Sequence, residues 1–260
     1  MKIKLYQVDA FAEELFKGNP AAVCPLEYWP EDKLLQQIAS ENNLSETAFF
    51  VAQDDGYKLR WFTPAEEVDL CGHATLASAH VIFQHLNYTK KEIIFYTRSG
   101  ELNVSKVEQG YSMVFPASMP KLTKAPEKLL LGLGNVVVKQ VLSAFDYIVV
   151  LDNVEDLYAL SPGFNLWEQL DLRGVVVTTK GHDSDFISRS FFPGLNVHED
   201  PVTGSSHCEL APYWQQQLNK NKLIGKQVSA REGVVLCEVK GDKVILIGQA
   251  VDYMSGEISL

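Results

Sequence analysis

Apolar and polar residues alternate through KIKLYQVDAF (2–11), the period of a half-buried strand. GNPAAVC (18–24) predicts a Gly-Asn-Pro turn running into an apolar strand. Pro30, Glu31 and Asp32 suit the first turn of a helix that continues through Leu34, Leu35 and Ile38. TAFFVA (47–52) and YKLRWFTP (57–64) predict two more strands, the second stopped by Pro64. From Gly72 the pattern changes. GHATLASAHVIFQHL is small and apolar almost all round, which predicts a helix buried inside the protein. Short strands follow at IIFYT (93–97), LNVSKV (102–107) and YSMVF (111–115). PASMPKLTKAPEK (116–128), rich in Pro and Lys, predicts a linker, so the chain is divided into halves 1–118 and 119–260.

The second half repeats the plan. Strands are predicted at VVVKQVL and YIVVL, a helix at LSPGFNLWEQL (160–170), and strands at GVVVTTK (174–180) and FISRSFF (186–192). A helix is expected from about Ser206 through Trp214 despite Pro212, then strands VVLCEV and KVILIGQAV. Two segments match in register: Arg60-Trp61-Phe62-Thr63-Pro64 and Arg189-Ser190-Phe191-Phe192-Pro193, both R-x-F-x-P. Each is followed by a glycine opening a helix, Gly72 in CGHAT and Gly204 in TGSSH. The repeat predicts two pseudo-symmetric domains. A glycine-led helix start exposes unpaired N–H groups at the positive end of the helix dipole. Two such ends facing one another across a domain boundary would hold a small carboxylate.

Composition narrows the function. The formal net charge of −10 repels phosphate backbones and anionic headgroups, so nucleic acid and membrane partners are not expected. The N-terminal residues lack the apolar core of a signal peptide and no stretch suits a bilayer, which predicts a cytoplasmic protein. Cys24, Cys71, Cys208 and Cys237 are scattered without a C-x-x-C pair, which predicts free thiols. His80 and His85 lie five apart rather than four, so no metal is expected. Gly132-x-Gly134 fails as a dinucleotide loop because Val137 replaces the third glycine, and no Walker, G-x-S-x-G or H-E-x-x-H sequence occurs.

GNPAAV (18–23), NLSETAFF (43–50), FTPAEEVDLCGHAT (62–75) and EDPVTGSSH (199–207) together resemble the signature segments of the phenazine-biosynthesis isomerase-like family. YTRSGELNV (96–104) and VILIGQAVDYMSGEI (244–258) fit as well. The resemblance spans nearly the whole chain. It implies an α/β (α+β) protein of the diaminopimelate-epimerase-like fold: two domains, each a mainly antiparallel sheet or barrel wrapped around a central helix. It implies a cofactor-free isomerase with its active-site cleft between the halves, acting on a small carboxylic or amino-acid-like substrate, and a homodimer. Carried over by motif, the acid/base glutamate is Glu46, the active-site histidine His73 and the aspartate Asp200. Asn19, Gly72, Gly204 and Ser205 become substrate-binding positions. Glu46 lies between Leu44 and Ala48-Phe49-Phe50, which predicts burial.

C-G-H also resembles half of the two-thiol site of proline racemases, but the duplicated position holds Thr203, whose hydroxyl is too weak an acid to be the second base. Cys71 is therefore expected to be a small buried neighbour of the site. The second half places Arg173-Gly174-Val175 where the first has Ser45-Glu46-Thr47, so one half alone supplies the glutamate. The alternatives are a racemase or epimerase on the same fold and a non-catalytic protein-binding member of the family.

Overall fold

The computed structural model describes residues 1–260, which fall into two compact units: Met1–Val114 with Ile247–Leu260, and Phe115–Leu246. In the first, β1 (Lys2–Ala10) and β2 (Asn19–Leu26) are antiparallel, α1 (Asp32–Asn42) follows, and β3 (Glu46–Gln53) returns parallel to β2. Then β4 (Gly56–Phe62) pairs antiparallel with β3, short β5 (Glu67–Val68) with β4, and α2 (Gly72–His85) crosses over to β6 (Glu92–Thr97), parallel to β4. Antiparallel β7 (Gly100–Val107) and β8 (Gly110–Pro116) continue the sheet. Leu35, Ile38 and Ala39 of α1 pack with Ala22, Cys24, Phe49 and Phe62 on one face. The alternate residues Ala21, Val23, Ala48, Phe50, Leu59 and Trp61 are buried as well. Both faces are covered, which is why AAVC and TAFFVA read as continuous apolar runs. Helix α2 is buried at ten successive positions, His73 through Ile82, as its all-round apolar pattern predicts.

The second unit repeats this wiring. After β9 (Lys121–Leu122) and α3 (Glu127–Gly132) come antiparallel β10 (Val138–Ser143) and β11 (Tyr147–Leu151). Helices α4 (Val154–Ala159) and α5 (Phe164–Trp167) lead to β12 (Val175–Lys180), parallel to β11, and β13 (Phe186–Phe192), antiparallel to β12. Short β14 (Val197–Asp200), α6 (Gly204–Leu218) and β15 (Lys222–Gln227), parallel to β13, follow, then β16 (Gly233–Lys240) and β17 (Lys243–Gly248). The duplication holds to the residue: Tyr57↔Phe95 between β4 and β6 recurs as Phe186↔Gly225 between β13 and β15. In neither unit does the sheet close into a barrel.

Three elements differ from the sequence reading. The helix expected over 160–170 is a single turn, Phe164–Trp167, while α4 precedes it at 154–159. Pro162 lacks an N–H, and Gly163 donates its own to Gly132 O at 2.8 Å, so the backbone is held to α3 instead of coiling. Helix α6 passes Pro212 as expected but is longer than 206–214, running from Gly204 to Leu218. The ring removes the N–H owed to Cys208 O, and Ser118 N–H takes its place at 3.0 Å. Finally, β18 (Ala250–Ser259) pairs with β1 from Lys2↔Ser259 to Ala10↔Ala250. The closing strand thus belongs to the first unit, not to a second half running from 119 to 260.

Candidate active site

Glu46 is the first residue of β3. Asn43, in the left-handed region at φ 49°, ends α1 and turns the chain into that strand. Ala21 of β2 is the register partner of Glu46. Asn19, two positions earlier on the same face of β2, is fully buried. It follows Gly18, where φ is 66° and a Cβ would come within 2.2 Å of Ala10 O, so the Gly-Asn-Pro turn requires glycine.

His73 is the second residue of α2. Its Nε2 lies 3.0 Å from Glu46 Oε2, and its Nδ1 lies 3.6 Å from Cys71 Sγ. Burial opposes the imidazolium, but the Cys71 sulfur and the Glu46 carboxylate beside the ring outweigh it and hold the His73 pKa well above its usual value. Burial, then the Glu46 charge, pushes the Cys71 thiol up, so it is protonated at neutral pH. Carboxylate and sulfur approach different ring nitrogens, and the three groups can bring one ligand atom apiece within 4.8 Å of one another. Thr75 Oγ1 donates to Cys71 O at 2.6 Å and fixes the turn, while no side chain caps the first-turn N–H groups of α2.

The second unit fills the equivalent positions differently. Thr203 precedes α6 and its hydroxyl donates to Asp200 Oδ2, while its N–H donates to Gln227 Oε1 at 2.9 Å. Gln227 Nε2 in turn donates to Asp200 O at 2.7 Å. Here too no side chain caps the helix. Ser205, the counterpart of His73, accepts a hydrogen bond from Arg173 Nη2 at 3.0 Å. Gly174 stands where Glu46 stands, since Tyr147↔Val175 repeats Ala22↔Thr47. A Cβ on Gly174 would lie 2.2 Å from Phe192 Cδ1 and 2.5 Å from Phe191 O, so this copy has no room for a base there.

The sequence reading missed the charge cluster beside Ser205. Arg173 forks onto the fully buried Asp146, at 3.0 and 2.6 Å. Glu209 Oε1 accepts N–H bonds from Phe145 and Asp146 at 2.8 and 3.2 Å. Burial, then the adjacent Asp146 charge, pushes the Glu209 carboxyl up to about 9, so it is neutral beside the Arg173–Asp146 pair. These residues stand apart in the chain and form no motif. The structure thus brings together Glu46, His73 and Cys71 in one unit, and Asp200, Thr203, Ser205 and Arg173 around the start of α6 in the other. A surface cavity of about 280 Å³ lined by Trp29, Asp32, Arg60, Tyr96 and Arg98 contains none of them.

A family model described as phenazine biosynthesis-like protein matches residues 8–256. A Pseudomonas aeruginosa protein named an uncharacterized isomerase is 50% identical over 260 residues, covering all of both chains. The crystal structure of a phenazine biosynthesis protein of the PhzF family from Enterococcus faecalis superposes with a TM-score of 0.97 at 45% identity, covering 100% of each chain. A hydroxyproline epimerase from Agrobacterium vitis, 8% identical, shares the fold with a TM-score of 0.64 over 100% of this chain and 93% of its own. No helix is long and apolar enough to cross a membrane.

Proposed function

The chain belongs to the phenazine biosynthesis-like protein family and is one of its isomerases, and on that premise we propose that it moves a proton within a small carboxylic or amino-acid-like substrate with Glu46 as acid and base. The observation that carries this reading is the Glu46–His73 pair at 3.0 Å. His73 engages Oε2, leaving Oε1 to take a proton from carbon. The electron pair left behind spreads into the adjacent unsaturation or carboxyl group. Glu46, now protonated, returns the same proton at another carbon, and His73 balances the changing charge. Every atom stays on the substrate, so the scheme needs no cofactor.

The uncapped first turn of α2 at Gly72 supplies donors for the substrate carboxylate, and the start of α6 at Gly204, with the Ser205 hydroxyl, offers a similar set of donors in the second unit. Asn19 and Asp200 are assigned to substrate orientation. A two-thiol racemase is disfavoured: the only thiol of the pair, Cys71, is held protonated, and Thr203 commits its hydroxyl to Asp200.

The test is solvent deuterium incorporation, screened over small unsaturated, hydroxy and amino acids. A substrate should exchange a C–H with the wild type, and Glu46→Gln should slow that exchange about 10²–10⁴-fold. Cys71→Ser should retain most of it. The opposite pattern, exchange lost with Cys71→Ser and kept with Glu46→Gln, overturns the glutamate mechanism.

A further inference from the structure

Far along α2 from Gly72, a second histidine cluster takes no part in this chemistry. His80 Nε2 lies 3.3 Å from Asp252 Oδ1, and His85 Nε2 lies 3.0 Å from each Asp252 oxygen. The three groups can bring one ligand atom apiece within 4.8 Å of one another. We propose that His80, His85 and Asp252 form a binding site for an imidazole-preferring divalent ion such as Zn²⁺, clasping the end of α2 to β18.

Spacing alone argued against the pair, because residues five apart diverge around a helix. His85, however, is the last residue of α2, and Asp252 comes from the neighbouring strand to meet both rings. Two neutral imidazoles and one carboxylate are a donor set suited to Zn²⁺ and its transition-metal neighbours. An ion about 2.0–2.1 Å from each ligand atom in tetrahedral geometry needs those atoms about 3.3 Å apart. The two nitrogen–oxygen separations, 3.0 and 3.3 Å, already lie near that spacing. His80 Nε2 is completely buried and faces Asp252 at a distance slack for a hydrogen bond.

The surroundings hold the rings in place. His80 Nδ1 is 3.0 Å from the Tyr111 hydroxyl, which also accepts a hydrogen bond from Gln84 Nε2 at 3.2 Å. With the His80 proton on Nδ1, donated to Tyr111, the Nε2 lone pair faces the ion. The His85 ring stacks on Tyr6 at 4.7 Å. Asp252 is 42% exposed, leaving solvent room to complete the coordination.

The experiment is calorimetric titration of tag-free, chelator-treated protein with ZnCl₂, in a Cys71→Ser background that removes the thiol beside His73. One ion per chain should bind at micromolar concentration or tighter. Asp252→Asn and His85→Ala should each weaken binding at least about tenfold. Co²⁺ should give the visible absorption of a tetrahedral site, and Asp252→Asn should abolish it. Zinc should raise the melting temperature of the parent and not of Asp252→Asn, and the two should melt alike without zinc. Absence of saturable binding below millimolar zinc, or binding indifferent to both substitutions, overturns the proposal. Because isomerase activity is not the readout, this result is independent of the reading of Glu46.

Discussion

Arg60 and Arg189 occupy the same place in the repeated R-x-F-x-P motif, yet their removal should have unequal consequences. Each forks onto a glutamate, Glu67 at 2.7 and 2.7 Å and Glu199 at 2.8 and 2.9 Å, and each lies over the phenylalanine two residues on, at 5.1 and 5.0 Å. Arg60 sends its remaining nitrogen to Asp32, which is 69% exposed, and Glu67 keeps Arg98 at 2.6 Å when Arg60 is lost. Arg189 instead donates to Leu157 O and Leu160 O, at 3.1 and 2.8 Å, closing the C-terminal end of α4. Arg189→Met therefore strips the guanidinium from Glu199 and orphans two carbonyls of a helix end. Breaking a buried pair costs about 3–5 kcal/mol, and partial exposure of Glu199 lowers that share to about 2. The two carbonyls add roughly 1 kcal/mol each, giving about 4 kcal/mol for Arg189→Met. Arg60→Met should cost about 1–2 kcal/mol, since its glutamate stays paired and its other partner is mostly exposed. Urea unfolding of both variants gives the difference, and hydrogen exchange over Val154–Ala159 localises it. Equal losses, or unchanged exchange in α4 with Arg189→Met, would refute the reasoning.

Glu209 has a folded-state pKa raised to about 9, so its contribution to stability is complete below about pH 4.5 and is lost as pH rises through 9. Glu209→Gln mimics the neutral acid; it should raise the melting temperature at pH 7 by an amount that grows toward pH 9, and a difference that stays flat between pH 5 and 9 would refute this. A homodimer is expected by family, and sedimentation at micromolar concentration should give about twice the 29.1 kDa chain mass; a monomer would count against it. Gly174→Ala should destabilise the second unit, because the added methyl meets Phe192 and the Phe191 carbonyl; an unchanged urea midpoint would show that the strand shifts to accept it.

Much of the fold was legible because sequence and burial share a period. Alternation marked β1, the all-round apolar run marked α2, and R-x-F-x-P marked two arginines that make the same fork. Other features depend on partners distant in the chain. Helix α6 passes Pro212 only because Ser118 supplies the missing donor, and the helix expected over 160–170 shrinks because Gly163 is tied to Gly132. The glutamate and histidine were reached through the resemblance of S-E-T and C-G-H, and the structure sets them 3.0 Å apart. Arg173, Asp146 and Glu209 carried no local signal, because a buried charge becomes meaningful only beside its counter-ion. The helical spacing of His80 and His85 gives no sign of their meeting, because the aspartate that both face lies on the closing strand.

That closing strand also imposes an order on biosynthesis. Until β18 arrives, β1 is an open sheet edge whose Ile3, Leu5 and Val8 belong to a core still lacking a wall. Ribosomes adding about 5–20 residues per second would leave that edge waiting roughly 10–50 s between the emergence of β1 and of its partner. The second unit, contiguous from Phe115 to Leu246, has all its strands before then. The unit carrying Glu46 and His73 is therefore completed only after every strand of the second unit has been made, although most of its own chain precedes them.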